Sequence, residues 1–141
     1  MKAMKLGELN MPIKQSPKEI APQLLAYVGD AVYEIYVRYH LLARGVLKPS
    51  RLQKEAVRYV SASAQAFAIR ALENSLTEEE QWIFKRGRNA KTGSVPRNAR
   101  VVDYRYSTGM EALIGFLYLS GAEERLDVVI KKILDKIEEG D

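Results

Sequence analysis

Five prolines divide this chain into stretches in which apolar residues recur every three or four positions, the period of an α-helix. The prolines stand at positions 12, 17, 22, 49 and 96. Proline is tolerated in the first turn of a helix and breaks a helix interior, so these positions separate successive helices. The pattern predicts an all-α fold, built as a bundle of helices.

Capping signals predict where the helices begin. Ser16 and Glu19 form a capping box, Thr77 and Glu80 form a second one, and Asp103 is the expected cap of a later helix. Six main helices are expected over residues 22–44, 50–60, 61–72 or 63–72, 77–87, 103–121 and 122–139. Residues 88–100 are expected to form a loop, residues 1–15 an N-terminal extension and residues 16–141 a single domain.

The longest predicted helix, 22–44, carries one continuous apolar stripe, which predicts that it is a central helix of the bundle. The stripe consists of Leu25, Val28, Val32, Ile35, Tyr39 and Leu42. Gly45 follows as the expected C-terminal stop.

Composition limits the chemistry that is open to this chain. Its 141 residues, 47% of them hydrophobic, suffice for one domain with a buried core, which argues against intrinsic disorder and a two-domain enzyme. The chain has no cysteine and one histidine, which excludes a disulfide framework, a thiolate zinc site and a cysteine nucleophile. The apolar stretches are too short to span a membrane, and the first residues lack the pattern of a signal peptide. We therefore expect a cytoplasmic protein.

Two acidic residues lie in helical stretches whose neighbours are apolar: Asp30 in LLAYVGDAVYEIYV and Glu111 in STGMEALIGFLYL. A buried carboxylate is costly unless it is paired or binds a metal. Gly29 precedes Asp30 and Gly115 follows Glu111 by one turn, although glycine within a helix costs about 1 kcal/mol relative to alanine. If two helices cross closely at these glycines, the carboxylates face each other. Converging oxygen ligands suit Mg²⁺ or Mn²⁺.

A plainer interpretation of Asp30 and Glu111 stays open at this point. An acid within a helix usually faces solvent or pairs with an arginine, and Arg38 or Arg44 could be such a partner. On this interpretation the two acids make polar contacts in a structural dimer and hold no metal.

The basic residues of the chain are concentrated in one segment, residues 85–105, which we call the basic segment. It holds one acid, Asp103, and seven cations, Lys85, Arg86, Arg88, Lys91, Arg97, Arg100 and Arg105. Its net charge is therefore +6, which leaves −2 for the remainder of a chain whose formal net charge is +4. Cations interleaved with glycine, asparagine and serine suit phosphate contacts along a nucleic acid. The alternative is a solvated loop without function.

Three segments resemble parts of the ribonuclease III catalytic domain. LAYVGDAVYE at 25–34 is similar to the signature helix of that family, KRGRNAK at 85–91 to its basic segment and EALIG at 111–115 to its second acidic motif. The resemblance implies a homodimeric, all-helical, Mg²⁺-dependent endonuclease that cuts double-stranded RNA and leaves 5′-phosphate products. The chain most resembles the short members of the family that lack a double-stranded-RNA-binding domain. For these the resemblance implies maturation of 23S ribosomal RNA precursors.

The resemblance assigns catalysis and metal binding to Asp30 and Glu111, with Mg²⁺ as the cofactor and Mn²⁺ as a substitute. The expected RNA-binding residues are Lys85, Arg86, Arg88, Asn89, Lys91, Arg97 and Arg100. The larger family has acids at the positions of Gln23, Ala26 and Thr108. With fewer carboxylates, we expect one Mg²⁺ to be held firmly and a second to arrive with the substrate phosphate. Alternatively, Gln23 and Thr108 act through waters, which Mg²⁺ readily retains.

The missing acids also keep a different function open. The chain could be a non-catalytic helical dimer that binds double-stranded RNA, a nuclease that has lost its activity. Binding of duplex DNA is a more distant alternative. Neither GxGxxG nor GxxxxGK[ST] occurs, so no nucleotide cofactor is expected.

Overall fold

A computed structural model describes residues 12–91, 94–97 and 99–140. Over these residues the chain has six α-helices, two short 3₁₀ turns and no strand, which confirms the all-α prediction. The helices are α1 (Pro22–Ala43), α2 (Pro49–Val60), α3 (Ala62–Leu72), α4 (Glu78–Asn89), α5 (Val101–Leu119) and α6 (Glu123–Glu139). None of them is long and apolar enough to cross a membrane. Most of the predicted N-terminal extension, residues 1–11, lies outside the described residues.

Two helix caps are as the sequence predicts. Ser61 caps α3, because its side chain accepts a hydrogen bond from the Ala64 N–H at 3.3 Å. Thr77 and Glu80 form the reciprocal capping box of α4, in which each side chain accepts a hydrogen bond from the other residue's main-chain N–H. These caps fix the starts of two helices that lie beside the site described below.

Two other predicted caps are wrong. The Ser16 side chain makes no cap hydrogen bond, and the turn that follows it, Pro17–Glu19, is a single 3₁₀ turn. Pro22 holds the preceding residue in an extended conformation, so this turn cannot continue into α1. Asp103 does not cap α5, because that helix begins two residues earlier at Val101. Its carboxylate lies instead in the first turn, where the helix dipole favours a negative charge.

The closest helix crossing in the bundle is that of α1 with α5, and it occurs at two glycines. A Cβ atom placed on Gly29 would lie 1.7 Å from the Glu111 carbonyl oxygen, and one placed on Gly115 would lie 2.0 Å from the Leu25 carbonyl oxygen. Both distances are far inside van der Waals contact, so only glycine fits at either position. The predicted crossing at these glycines is confirmed, and α5, which also contacts α3, α4 and α6, is the central helix.

The buried face of α1 differs from the predicted apolar stripe. Three stripe residues are exposed: Ile35, Tyr39 and Leu42. The residues that are buried are Leu25, Ala26, Gly29, Val32, Tyr33, Val37 and Leu41. The reason is that Gly29 must face α5, which rotates the helix relative to the predicted stripe. Glycine contributes nothing to an apolar pattern, so the pattern alone placed the buried face wrongly.

A second close contact fixes α4 on α5. A Cβ atom on Gly87 would lie 2.7 Å from the Ala112 Cβ, and one on Gly109 would lie 2.8 Å from the ring of Phe84. The prediction that α4 ends near Gly87 is wrong, because this glycine serves the packing and the helix continues to Asn89. The basic residues at the end of α4 are therefore held on a helix that is packed against α5.

The start of α4 is tied to α6 by an ion pair. The Glu80 carboxylate is buried and accepts hydrogen bonds from Nε and Nη2 of Arg125, both at 2.7 Å. Burial acts to raise the pKa of Glu80, but the hydrogen bonds from Arg125 and Thr77 outweigh it, and the pKa is lowered. Glu80 is therefore ionised at neutral pH and satisfied by its partners.

We expect Gly29→Ala to destabilise the fold by about 3 kcal/mol, because the added methyl group would occupy the position of a main-chain oxygen of α5 and force the helices apart. Urea denaturation measures the free energy of unfolding. Ala71→Ser, at an exposed position of α3, is the control and should change it by less than about 0.5 kcal/mol. A Gly29→Ala protein as stable as the wild type would contradict the close crossing.

Candidate active site

The crossing of α1 and α5 brings Asp30 and Glu111 into one cleft of about 540 Å³, which we call the acidic cleft. Asp30 is exposed at the surface of the cleft, and Glu111 is half-buried within it. The two side chains interact directly, through their charges and through a hydrogen bond. The sequence-based prediction that these carboxylates face each other is confirmed. The other polar side chains of the cleft are Ser61, Ser63, Gln65, Arg100, Asp103, Tyr104 and Ser107.

The ionisation of Glu111 is strongly perturbed. Burial is the largest of the causes that raise its pKa to about 9, and the charge of Asp30 and the hydrogen bond with it add to the increase. A hydrogen bond from Gln65 acts in the opposite direction. Between the ordinary pKa of a glutamate and pH 9, the unfolded chain ionises this group and the folded chain keeps it protonated, so the site lowers the stability of the fold.

The oxygen donors of the cleft suit a hard divalent cation. Besides Asp30 and Glu111, the cleft contains the Gln65 amide, whose Oε1 is buried and has no hydrogen-bond partner. No group of three or more His, Cys, Asp or Glu side chains that could hold a metal occurs in the described part of the chain. Mg²⁺ commonly binds through one or two carboxylates and retains several waters, so two carboxylates are enough. The residues present therefore fit Mg²⁺.

The alternative in which Arg38 or Arg44 pairs with the two acids is wrong. The Arg38 Nη2 lies 2.8 Å from the Glu34 Oε2, and the Arg44 Nη1 lies 2.8 Å from the Glu138 Oε2. Both arginines are therefore engaged elsewhere on the surface. The cation that does line the cleft is Arg100, which is exposed at the start of α5. A positive charge thus stands at the cleft, where a phosphate group could meet it.

Sequence reasoning did not find Gln65 and treated Asp103 only as a helix cap. Gln65 is buried on the same face of α3 as Ile69 and Leu72, at the i, i+4 and i+7 positions of the helix. The signal in the sequence was therefore a polar residue at a position where the helical pattern predicts an apolar one. Asp103 lies two turns before Glu111 on α5, so one face of that helix directs both acids into the cleft.

Two of the positions at which the larger family has acids lie outside the lining of the acidic cleft. Gln23 donates a hydrogen bond from its Nε2 to the Lys91 carbonyl oxygen at 3.4 Å. Thr108 donates from its Oγ1 to the Tyr104 carbonyl oxygen at 2.9 Å. Neither side chain is among those that line the acidic cleft. A water-mediated role for these two residues stays a prediction.

Three of the four predicted RNA-binding residues of α4 line a second cleft. Lys85, Arg86 and Asn89 line it together with Gln23 and Trp82, and its volume is about 470 Å³. The Arg86 guanidinium lies over the Trp82 ring, 4.7 Å from its centre. A cation held over an aromatic ring keeps its charge available to an anion.

The other predicted RNA-binding residues lie at the end of α4 and on the connection that leads from α4 to α5. The Arg88 guanidinium lies 5.6 Å from the centre of the Tyr106 ring, and Arg70 of α3 lies 4.4 Å from the same ring. Lys91, Arg97 and Arg100 are exposed on the connection from α4 to α5. Residues 92, 93 and 98 of this connection lie outside the described part of the chain. The RNA-binding role of these side chains stays a prediction.

Comparison with known proteins agrees with this arrangement. Residues 23–122 match the family described as the Ribonuclease III domain. The Mini-ribonuclease 3 of Brevibacillus brevis is 49% identical over 126 residues, covering 89% of this chain and 94% of the relative. That of Symbiobacterium thermophilum is 47% identical over 125 residues, covering 89% and 96%. An X-ray structure of a Fusobacterium nucleatum protein matches with a TM-score of 0.77 at 31% identity, over 86% of this chain and 98% of that one.

The fold and the family match define an endoribonuclease of the ribonuclease III type. The two relatives named above are both Mini-ribonuclease 3 proteins, and they match this chain along most of their length. The chain belongs to the ribonuclease III family, in its Mini-ribonuclease 3 group.

We expect Asp30→Asn to raise the melting temperature of the protein in EDTA above pH 9, where Glu111 is ionised, because it removes the like charge beside Glu111. The same change should abolish any stabilisation by added Mg²⁺, because one of the two carboxylates is removed. Thermal melts with and without Mg²⁺ measure both effects, with Glu124→Gln at an exposed position of α6 as the control. If Asp30→Asn instead destabilises the fold by several kcal/mol, and Mg²⁺ does not change the melting temperature of the wild type, the acids form a structural polar contact.

Proposed function

We propose that this protein is an Mg²⁺-dependent endonuclease that cleaves double-stranded RNA, and that it matures the precursor of 23S ribosomal RNA. The observation that carries the catalytic part is the convergence of Asp30 and Glu111 in a cleft that Arg100 also lines. Two carboxylates supply ligands for a divalent cation, and the adjacent guanidinium supplies a contact for a phosphate. The role in ribosomal RNA maturation rests on the likeness to the Mini-ribonuclease 3 proteins.

In the proposed mechanism Asp30 and Glu111 hold the cation from two helices that cannot shift relative to each other, because they cross in main-chain contact. A bound Mg²⁺ would lower the pKa of a water and stabilise charge on the scissile phosphate. Arg100 orients the phosphate at the edge of the cleft. We propose one firmly held Mg²⁺ per cleft, with a second that enters with the substrate, and Mn²⁺ as a substitute.

A second copy of the chain completes the proposed enzyme. The outer face of α1 exposes apolar side chains at a helical spacing: Leu24, Tyr27, Ala31, Ile35 and Leu42. Tyr27 is 79% exposed and Leu24 is 58% exposed. A contiguous exposed apolar face commonly marks a protein interface, and a two-fold contact is the usual one between identical chains. The dimer would present two clefts to one duplex, so both strands would be cut, leaving 5′-phosphates and a short 3′ overhang.

Binding of the duplex is proposed for Lys85, Arg86, Arg88, Asn89, Lys91, Arg97 and Arg100. These side chains extend from the second cleft, along the connection between α4 and α5, to the acidic cleft. Cations along such a path suit the phosphates of A-form RNA, which proteins recognise mainly by shape. We therefore propose little dependence on sequence. The predicted cytoplasmic location stays a prediction.

The cleavage prediction separates the proposed enzyme from a non-catalytic RNA-binding dimer. The wild type with Mg²⁺ should cut both strands of an RNA duplex and leave the matching DNA duplex intact, and EDTA should stop the reaction. Glu111→Gln should reduce cleavage by at least about a hundredfold while it keeps RNA affinity, because it removes a metal ligand and no phosphate contact. Labelled strands on a denaturing gel measure cleavage, and filter binding measures affinity.

Glu124→Gln is the matched control for that experiment, because it neutralises an exposed acid of α6 outside the cleft. A wild type that binds the RNA duplex and cuts neither strand favours the non-catalytic dimer. Full activity of Glu111→Gln would remove this residue from the metal site. Equal cleavage of DNA would show that 2′-hydroxyl contacts play no part.

The salt dependence of RNA binding tests the proposed path of the duplex. Replacing Arg86, Arg88 and Arg97 by alanine should flatten the plot of log affinity against log salt by about 0.7 to 0.9 for each phosphate that the variant no longer neutralises. The matched control replaces the exposed cations Arg51, Lys54 and Lys132 by alanine. Fluorescence anisotropy at several salt concentrations measures both slopes. If the first variant keeps the wild-type slope and the control has a flatter one, the RNA binds at α2 and α6 and the proposed path is wrong.

A further inference from the structure

Gln65 of α3 is a buried side chain of the acidic cleft to which neither the sequence nor the comparisons assign a role. It is 1% exposed. Its Nε2 donates a hydrogen bond to the Val60 carbonyl oxygen at 3.2 Å, which fixes which end of the amide faces α2. Its Oε1 is the only side-chain polar atom among the described residues that is buried without a hydrogen-bond partner.

An unpartnered acceptor of this kind is unfavourable in a folded protein. Burying an amide oxygen without a hydrogen bond destabilises the fold, and a methionine of similar shape would avoid that cost. Few such atoms occur in native structures, so each one calls for a physical explanation. The position of Gln65 beside Asp30 and Glu111 supplies one.

The end of α2, to which the Gln65 amide is hydrogen-bonded, is itself bonded to α1, the helix that carries Asp30. Tyr33, one turn after Asp30 on α1, donates a hydrogen bond from its hydroxyl to the Tyr59 carbonyl oxygen at 2.8 Å. Tyr59 directly precedes Val60, the acceptor of the Gln65 amide. The amide is therefore placed relative to the acids by one buried and one partly buried hydrogen bond, and it also contacts Glu111.

We infer that Gln65 is a positioning residue of the cation site, which holds the Glu111 carboxylate in the cleft and presents Oε1 as a further oxygen acceptor for the hydration shell of the cation. Mg²⁺ retains most of its waters, and these waters need acceptors around the site. In this chain an amide oxygen supplies an acceptor near two carboxylates. The inference rests on the proposed function, because it requires a cation between Asp30 and Glu111.

Cation titrations without RNA test this role. Gln65→Met keeps the shape of the side chain and removes the amide, and it should raise the half-saturating Mg²⁺ concentration about tenfold or more. Gln65→Glu keeps an oxygen in place and should retain more cation affinity than Gln65→Met. Calorimetry or the Mg²⁺-dependent shift of the melting temperature measures binding, and the Mg²⁺ dependence of RNA cleavage provides a second readout.

Gln81→Met is the matched control, because the Gln81 Nε2 also donates to main-chain oxygens, those of Glu73 at 3.1 Å and Leu76 at 3.3 Å, outside the cleft. It should lower the melting temperature in EDTA and leave cation affinity unchanged. The same result for Gln65→Met would make Gln65 a structural tether and overturn the inference. If Gln65→Met does not fold, the Gln65→Glu variant decides the question. A Mg²⁺ affinity of that variant tenfold below the wild-type value would overturn the role of Oε1. If the wild type itself binds no cation and cuts no RNA, the proposed function fails instead.

Discussion

The contact on which the rest of this structure depends is the crossing of α1 and α5 at Gly29 and Gly115. Each glycine lies where a Cβ atom would overlap a main-chain atom of the other helix, so the helices meet without any side chain between them. Asp30 is the residue next to one glycine, and Glu111 lies one turn before the other. The close approach therefore fixes the distance between the two carboxylates through the main chain, which is far less adjustable than contact between side chains.

This arrangement lowers the stability of the fold in order to hold the acids together. Burial and the neighbouring charge of Asp30 raise the pKa of Glu111, and the Oε1 of Gln65 has no partner. Both features are unfavourable in the protein alone, and a cation in the cleft would relieve both. The packing of α1 against α5 has to be strong enough to offset these two unfavourable features. The buried side chains of α5 and the second glycine contact, between Gly87 and Gly109, provide that strength from the two sides of the helix.

The sequence predicted the features that depend on local chemistry and missed those that depend on the facing helix. The all-α fold, the caps at Ser61 and Thr77 and the crossing at the glycines followed from residue types and their spacing. The sequence did not predict that Ile35 is exposed. The orientation of α1 is set by Gly29, and a glycine adds nothing to a hydrophobic pattern. Gln65 was missed for a related reason. Its helical spacing with Ile69 and Leu72 indicates a covered position, but a glutamine among alanines is also typical of a helix surface. The packing of α3 against α5 decides between the two and covers this glutamine.

The arginines of α4 are held in place by their neighbours, which the number of cations in the sequence does not reveal. Arg86 lies over Trp82 and donates to the Lys18 carbonyl oxygen, and Arg88 lies against Tyr106 and donates to the Asn89 Oδ1. These arginines are therefore placed by aromatic rings and neutral oxygens rather than by carboxylates. A guanidinium stacked on a ring keeps most of its hydrogen-bond donors available to phosphate, and the ring limits the rotamers that binding would otherwise have to restrict. A lysine would gain less from either ring. The arginines of α4 therefore form a preorganised surface, and the glycine contacts that hold α4 and α1 against α5 set the position of this surface relative to the acids.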